Sequence, residues 1–228
     1  MRSLAVATAA LLLLAVAGLG GWLALASQTS ASADVWHSRG ASADAAFVTM
    51  VDECLRLDTW VSAGSWVDRS PAGEPVSGSG LVVSIDLWDV CTGTWLGSVS
   101  GLTLDADVEI TRRGASASGV VTLYTLCDEW GCDDYNVAVS VDWSAANAAG
   151  GASVGGWHGH DPVCNSHGSS GWREATAAGT VIPLEPPYWG PVIGRITLAA
   201  EEPDPNVIPD PAVYASVGVW QSGVVCKA

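Results

Sequence analysis

Residues 102–110 read "LTLDADVEI" and alternate an apolar with a polar side chain over nine positions. Successive side chains of an extended chain point to opposite faces, so a period of two marks a strand with one face buried and one in water. Leu102, Leu104, Ala106, Val108 and Ile110 are therefore expected on the buried face. Thr103, Asp105, Asp107, Glu109 and Thr111 are expected on a solvated, carboxylate-rich one. The same period returns in Val137, Val139, Val141 and Trp143, which alternate with Ala138, Ser140 and Asp142. The run "GVVTLYTLC" (119–127) precedes them and is their natural antiparallel partner.

Further strands are predicted at 45–51, 54–63, 81–91, 175–183, 192–200 and 212–221, separated by Gly, Ser, Pro and Asp clusters. Past residue 40 the best helical spacing is Phe47, Val48, Val51 and Leu55. Its β-branched content and Asp52-Glu53 fit two strands and a turn equally, and it is read as β. Eight of the eleven prolines fall between Pro183 and Pro211, where fixed φ and missing donors give extended surface connections. Many short strands with such connections and no helix predict an all-β fold, an antiparallel β-sandwich of about eight to ten strands.

The chain begins Met-Arg-Ser and then runs uncharged from Leu4 to Ala33, through "ALAS" and "ASAD". Residues 1–33 read as a signal peptide with small-residue cleavage sites after Ala26 or Ala33. The alternative is an uncleaved N-terminal anchor, since a spanning helix needs only about 20 residues. Either reading makes residues 34–228 a single secreted, extracellular β domain. The net charge of −15 argues against nucleic acid or anionic lipid as partners. Membrane contact is expected only through the N-terminal segment if it is uncleaved.

Six cysteines in an exported chain favour three disulfides. Cys127 and Cys132 can pair across one turn, leaving Cys54–Cys91 and Cys164–Cys226 as the simplest sequential assignment. The small ring is worth about 2 kcal/mol by loop entropy and each larger loop about 4 kcal/mol. A zinc reading of Cys-x4-Cys would need two further close ligands.

In their order, "DLWDVCTGTWL" (86–96), "LTLDADVEI" with the Arg112-Arg113 pair, "VSVDW", "WHGHDPVC" and the late "EEPDPNVIPDPAVYASVGVWQSGVVC" make the chain similar to a loose group of uncharacterised secreted bacterial β proteins. The group has no assigned activity, so the resemblance implies secretion and a β fold. Its usual cysteines match Cys54, Cys91, Cys164 and Cys226, which makes Cys127 and Cys132 an additional pair.

Three constellations could carry chemistry. "GWHGHDPVCNSHG" (156–168) holds three of the four histidines. On a strand, His158 and His160 would project from one face about 7 Å apart, and Asp161 or His167 could complete a zinc or copper site. The alternative is a Gly/Ser-rich surface loop tied down by Cys164. In "LCDEWGCDDYN" (126–136), Asp128, Asp133 and Asp134, with Glu129 and Asn136, are hard donors of the kind calcium takes. The same residues are favoured in hairpin turns because they bond their own backbone.

The third signal is tryptophan, 12 residues against one Phe and four Tyr. Trp143 lies in a core register, whereas Trp130 at the hairpin tip, Trp88 beside Ser84 and Asp86, and Trp220 beside Ser216 and Gly218 do not. Such aromatics could stack on a polysaccharide or other cell-surface component, or reflect a plain β-surface preference. No hydrolase, zincin, phosphate-loop or dinucleotide motif is present, and the sequence names no cofactor. The expectation is a non-enzymatic carbohydrate-binding or structural module. The alternatives are a metal-binding protein using His158, His160 and His167, or a secreted inhibitor presenting the Cys127–Cys132 loop.

Overall fold

The computed structural model describes residues 35–71, 73–125, 134–145, 152–184, 196–200 and 214–226, within a compact unit spanning 34–226. Residues 1–33, read above as a signal or anchor, and Cys127 with Cys132, read as a pair, lie outside the described residues. Eleven strands are described: β1 (Val35–Met50), β2 (Leu55–Arg69), β3 (Val76–Asp89), β4 (Thr94–Thr103), β5 (Ala106–Thr111), β6 (Gly114–Thr125), β7 (Asp134–Ala145), β8 (Ala152–His160), β9 (Cys164–Pro183), β10 (Ile196–Ala200) and β11 (Tyr214–Cys226). No helix among the described residues is long and apolar enough to cross a membrane.

Every strand pair is antiparallel, and the pairs form a circuit: β9, β11, β1, β2, β3, β4, β6, β7 and back to β9. The expected all-β antiparallel architecture is thus one hydrogen-bonded sheet whose two layers join at both sides. Three positions of the circuit are shared by strands laid end to end. Along β9, β7 gives way to β8 on one edge (Ala145↔Ala175, then Ala152↔Arg173). On the other edge β10 gives way to β11 (Ala200↔Ala177, then Ser216↔Glu174). Along β6, β4 gives way to β5.

The interior is filled by the odd-numbered residues of most strands. Ala43, Ala45 and Phe47 of β1 face Ala63, Val61 and Thr59 of β2, which in turn face Leu81, Val83 and Ile85 of β3. On the opposite wall Val121 of β6 faces Val137 of β7, and Val139 faces Val181 of β9. Trp143 is buried between Ala115 and Ala177, its cross-strand partners. One large indole between two methyl groups fills the space that Phe or Leu fills elsewhere.

The stretch 102–110 differs from the single strand expected. β4 ends at Thr103 and β5 starts at Ala106. From Ser100↔Tyr124 to Ala106↔Gly119, six steps on one side match five on β6. A slip of one residue turns every following side chain to the other face. Leu102 and Leu104 are therefore exposed, by 42% and 63%, while Ala106, Val108 and Ile110 pack against the core. The other departures lie in polar stretches. β1 begins at Val35 rather than 45, and the Gly/Ser-rich segment 152–174 pairs around the turn 161–163 instead of forming a loop.

Two disulfides clamp opposite ends of the strands, as the cysteine spacing predicted. Cys54–Cys91 joins the start of β2 to the end of β3. Cys164–Cys226 joins the start of β9 to the end of β11. They belong to an oxidising compartment. An Asp caps the turn beside each. Asp52 accepts from the Cys54 and Leu55 amides at 2.8 and 2.7 Å, and Asp161 from the Val163 and Cys164 amides at 2.7 and 2.6 Å.

Candidate functional site

Beyond the core, β8, β9, β11, β1, β2 and β3 continue as a six-stranded wall. Its two faces differ sharply in chemistry.

The outer face carries Trp157, Trp172, Trp220 and Trp66, each directly opposite a glycine of the neighbouring strand: Gly168, Gly218, Gly40 and Gly78. A Cβ built on Gly78 would lie 2.5 Å from Cζ2 of Trp66, and one on Gly40 would lie 2.6 Å from Cζ2 of Trp220. At Gly218 and Gly168 the Trp172 and Trp157 rings come closer still. Each indole therefore lies over the position where its neighbour lacks a side chain, with one ring face on the sheet. Between them stand small residues, among them Ser170, Ser222 and Ser38. Trp220 and Trp66 flank Gly40 in one row, two strand spacings or about 9.6 Å apart. Trp157 is 51% exposed.

Of the other tryptophans expected to stack, Trp88 faces Arg56 and Trp95 across its strands. Its indole nitrogen is buried without a partner. Trp130 lies outside the described residues. Further along the outer face, Trp60 donates to the Tyr214 hydroxyl at 3.2 Å, over Ala46. Beside them is Asp44, 9% exposed, with Oδ1 unpaired. Burial pushes its carboxyl above the usual range, against the pull of the Ser62 hydroxyl. Burial likewise raises the Tyr214 phenol, opposed by Trp60 and reinforced by Asp44.

The inner face holds all four histidines. His158 faces His167, and both His167 and His37 face Gly223. A Cβ on Gly223 would lie 2.9 Å from Nε2 of His167 and 3.3 Å from Nδ1 of His37. His160 faces Asn165 and hydrogen-bonds to its side chain. Asp161 is engaged by the turn, and the Cys164 and Val163 amides hold its carboxyl below the usual range. Sequence reasoning missed His37, whose approach to His167 depends on β11 lying between β1 and β9. Among the described residues, the one group of three metal-type ligands whose atoms lie within 4.8 Å of one another is Cys54, Asp89 and Cys91, and its sulfurs are joined as a disulfide. Of the carboxylates read for calcium, Asp134 is exposed opposite Tyr124, and Asp128 and Asp133 lie outside the described residues.

Below the histidine row this face opens into a basin of about 1020 Å³. Its lining includes Arg39 on β1, Ser65 and Val67 on β2, Ser169 on β9 and Gln221 on β11. From the opposite side Arg112, in the turn between β5 and β6, completes it. Gln221 donates to Ser169 at 3.1 Å. Comparison with protein-family models, curated proteins and solved structures gives no match.

Proposed function

We propose that the protein is a secreted, non-enzymatic module that binds polysaccharide through the tryptophan-bearing outer face of the six-stranded wall. The observation that carries this reading is the set of four indoles on one face, each resting on a cross-strand glycine. A ring supported from below by backbone is held flat and loses little freedom on binding, which is the preorganisation that stacking on a sugar ring needs. Serines between the rings supply hydroxyls for the edges of such a ligand. Tryptophan is also the side chain most enriched where binding energy concentrates.

Retention of the oxidised protein on cellulose, chitin and cell-wall glycans tests the proposal, with Trp fluorescence as second readout. Retention on at least one glycan, lost in a Trp157→Ala, Trp66→Ala double variant that still melts cooperatively, is the expected result. Absence of retention on every glycan, or retention unchanged in the folded double variant, overturns it.

A further inference from the structure

We infer that the basin on the inner face binds a carboxylate-bearing saccharide, with Arg39 and Arg112 holding the acid group. This shares with the preceding reading only the premise of a sugar ligand, and it uses the opposite face of the wall.

The chain has 24 Asp and Glu against nine Lys and Arg, so arginines ought to find carboxylates easily. Among the described residues one ion pair is made, Arg56 with Asp58 at 2.5 Å. Arg39 on β1 and Arg112 in the β5–β6 turn make none, although both line the same basin. Among the described residues no Asp or Glu lines that basin. The segregation extends along the wall. By strand alternation its inner face carries Arg39, Arg69 and Arg173 and no carboxylate, whereas Asp68 and Glu174 point to the outer face. Unpaired guanidinium forks on two sides of one basin suit an anion that accepts two parallel hydrogen bonds, a carboxylate or a phosphate, and the net charge and the remaining lining decide between them.

The remaining lining selects the rest of the ligand. Ser65, Ser77, Ser169 and Gln221 offer hydroxyl and amide groups, and Val67 and Val219 offer apolar surface. That mixture suits a sugar ring, with polar edges and apolar faces. The net charge of −15 repels a dense polyanion at long range. A chain with one carboxylate per sugar, such as a uronic acid oligomer, fits the basin where nucleic acid or a heavily sulfated glycan does not.

Calorimetric titration of the oxidised protein with trigalacturonate, with a neutral trisaccharide and with acetate tests this. Trigalacturonate should bind, more weakly as salt rises. Arg39→Gln and Arg112→Gln should each weaken it at least about tenfold, the usual value of a charge-assisted hydrogen bond, while Trp157→Ala should not. Both arginines are exposed, so unchanged melting temperatures would exclude misfolding. Equal binding of the neutral sugar, saturation by acetate at the same concentration, or unweakened arginine variants would each overturn the inference. Trigalacturonate binding that persists when glycan retention on the tryptophan face fails supports this site and overturns only the other.

Discussion

Trp220 lies across Gly40 so closely that a methyl group at position 40 would meet Cζ2 of the indole at 2.6 Å and the Ser65 carbonyl oxygen at 2.7 Å. The ring is free to rotate aside, but the carbonyl belongs to the β2 backbone and cannot move without moving the ladder. Gly64, in the adjacent strand, has its nearest neighbour at 3.8 Å. Gly40→Ala should therefore cost about 1–3 kcal/mol, the usual range for overpacking. Gly64→Ala should be neutral or stabilise by up to about 1 kcal/mol, because alanine loses less backbone entropy in a strand. Thermal melts of the two variants, each kcal/mol being worth about 2–4 °C at this size, distinguish them. Equal melting temperatures would contradict the close Trp–Gly packing.

Asp44 supplies a pH signature. Its carboxyl is raised by burial, so the folded state favours the protonated form more than the unfolded chain does. The stabilising contribution of that proton is complete below the ordinary aspartate value of about 3.9. It is lost as pH rises through the higher folded value. Asp44→Asn removes the charge without changing shape, and should raise the melting temperature at pH 7, with the gain shrinking as pH approaches 4. A gain independent of pH would assign the effect to something other than ionisation.

The two described disulfides close segments of 37 and 62 residues, each worth about 4 kcal/mol by loop entropy. Cys164–Cys226 pins the far end of the wall, beyond the buried core, whereas Cys54–Cys91 closes the opposite end. Double Ser replacement at either site should lower stability by a comparable amount in denaturant titration. The local effects should differ, because few buried side chains support the wall near Cys164. Loss of that bond should speed amide exchange in β8 and in the first half of β9 more than in β6 and β7. Uniform exchange across the sheet would contradict this.

What the sequence displayed follows from where period-two patterning is strong. Val137 to Trp143 and the run at 119–127 were legible as a pair because Val137, Val139, Val141 and Trp143 make one face wholly apolar and the β-rich run before them supplies Val121 and Leu123 in the same alternation. The cysteine spacing likewise predicted the pairs 54–91 and 164–226. The wall was harder to read, since its strands alternate Gly, Ser and His with Trp rather than polar with apolar residues, and such stretches resemble loops. Trp157, Trp172 and Trp66 did not stand out for the same reason. An indole opposite a glycine is a relation between neighbouring strands, far apart in sequence for Trp172–Gly218 and Trp220–Gly40, and the basin shared by Arg39 and Arg112 exists only once the sheet has closed.

The slip between β4 and β5 yields the most direct test of the fold, because sequence periodicity and structure assign opposite environments to Leu104. Periodicity puts Leu104 and Val108 on one buried face. The structure exposes Leu104 by 63% and packs Val108 against the core. Leu104 retains some apolar contact, since its Cδ2 would lie 3.4 Å from a Cβ on Gly80, so its removal should be felt slightly. Leu104→Ser is expected to cost under about 1 kcal/mol, as for surface positions. Val108→Ser loses burial of a branched side chain and places a hydroxyl against the core, for about 1–3 kcal/mol. Chemical denaturation of both variants decides the matter: a larger loss at 104 than at 108 would mean that the chain runs through this bend in a single register, and that Leu102 and Leu104 belong to the core.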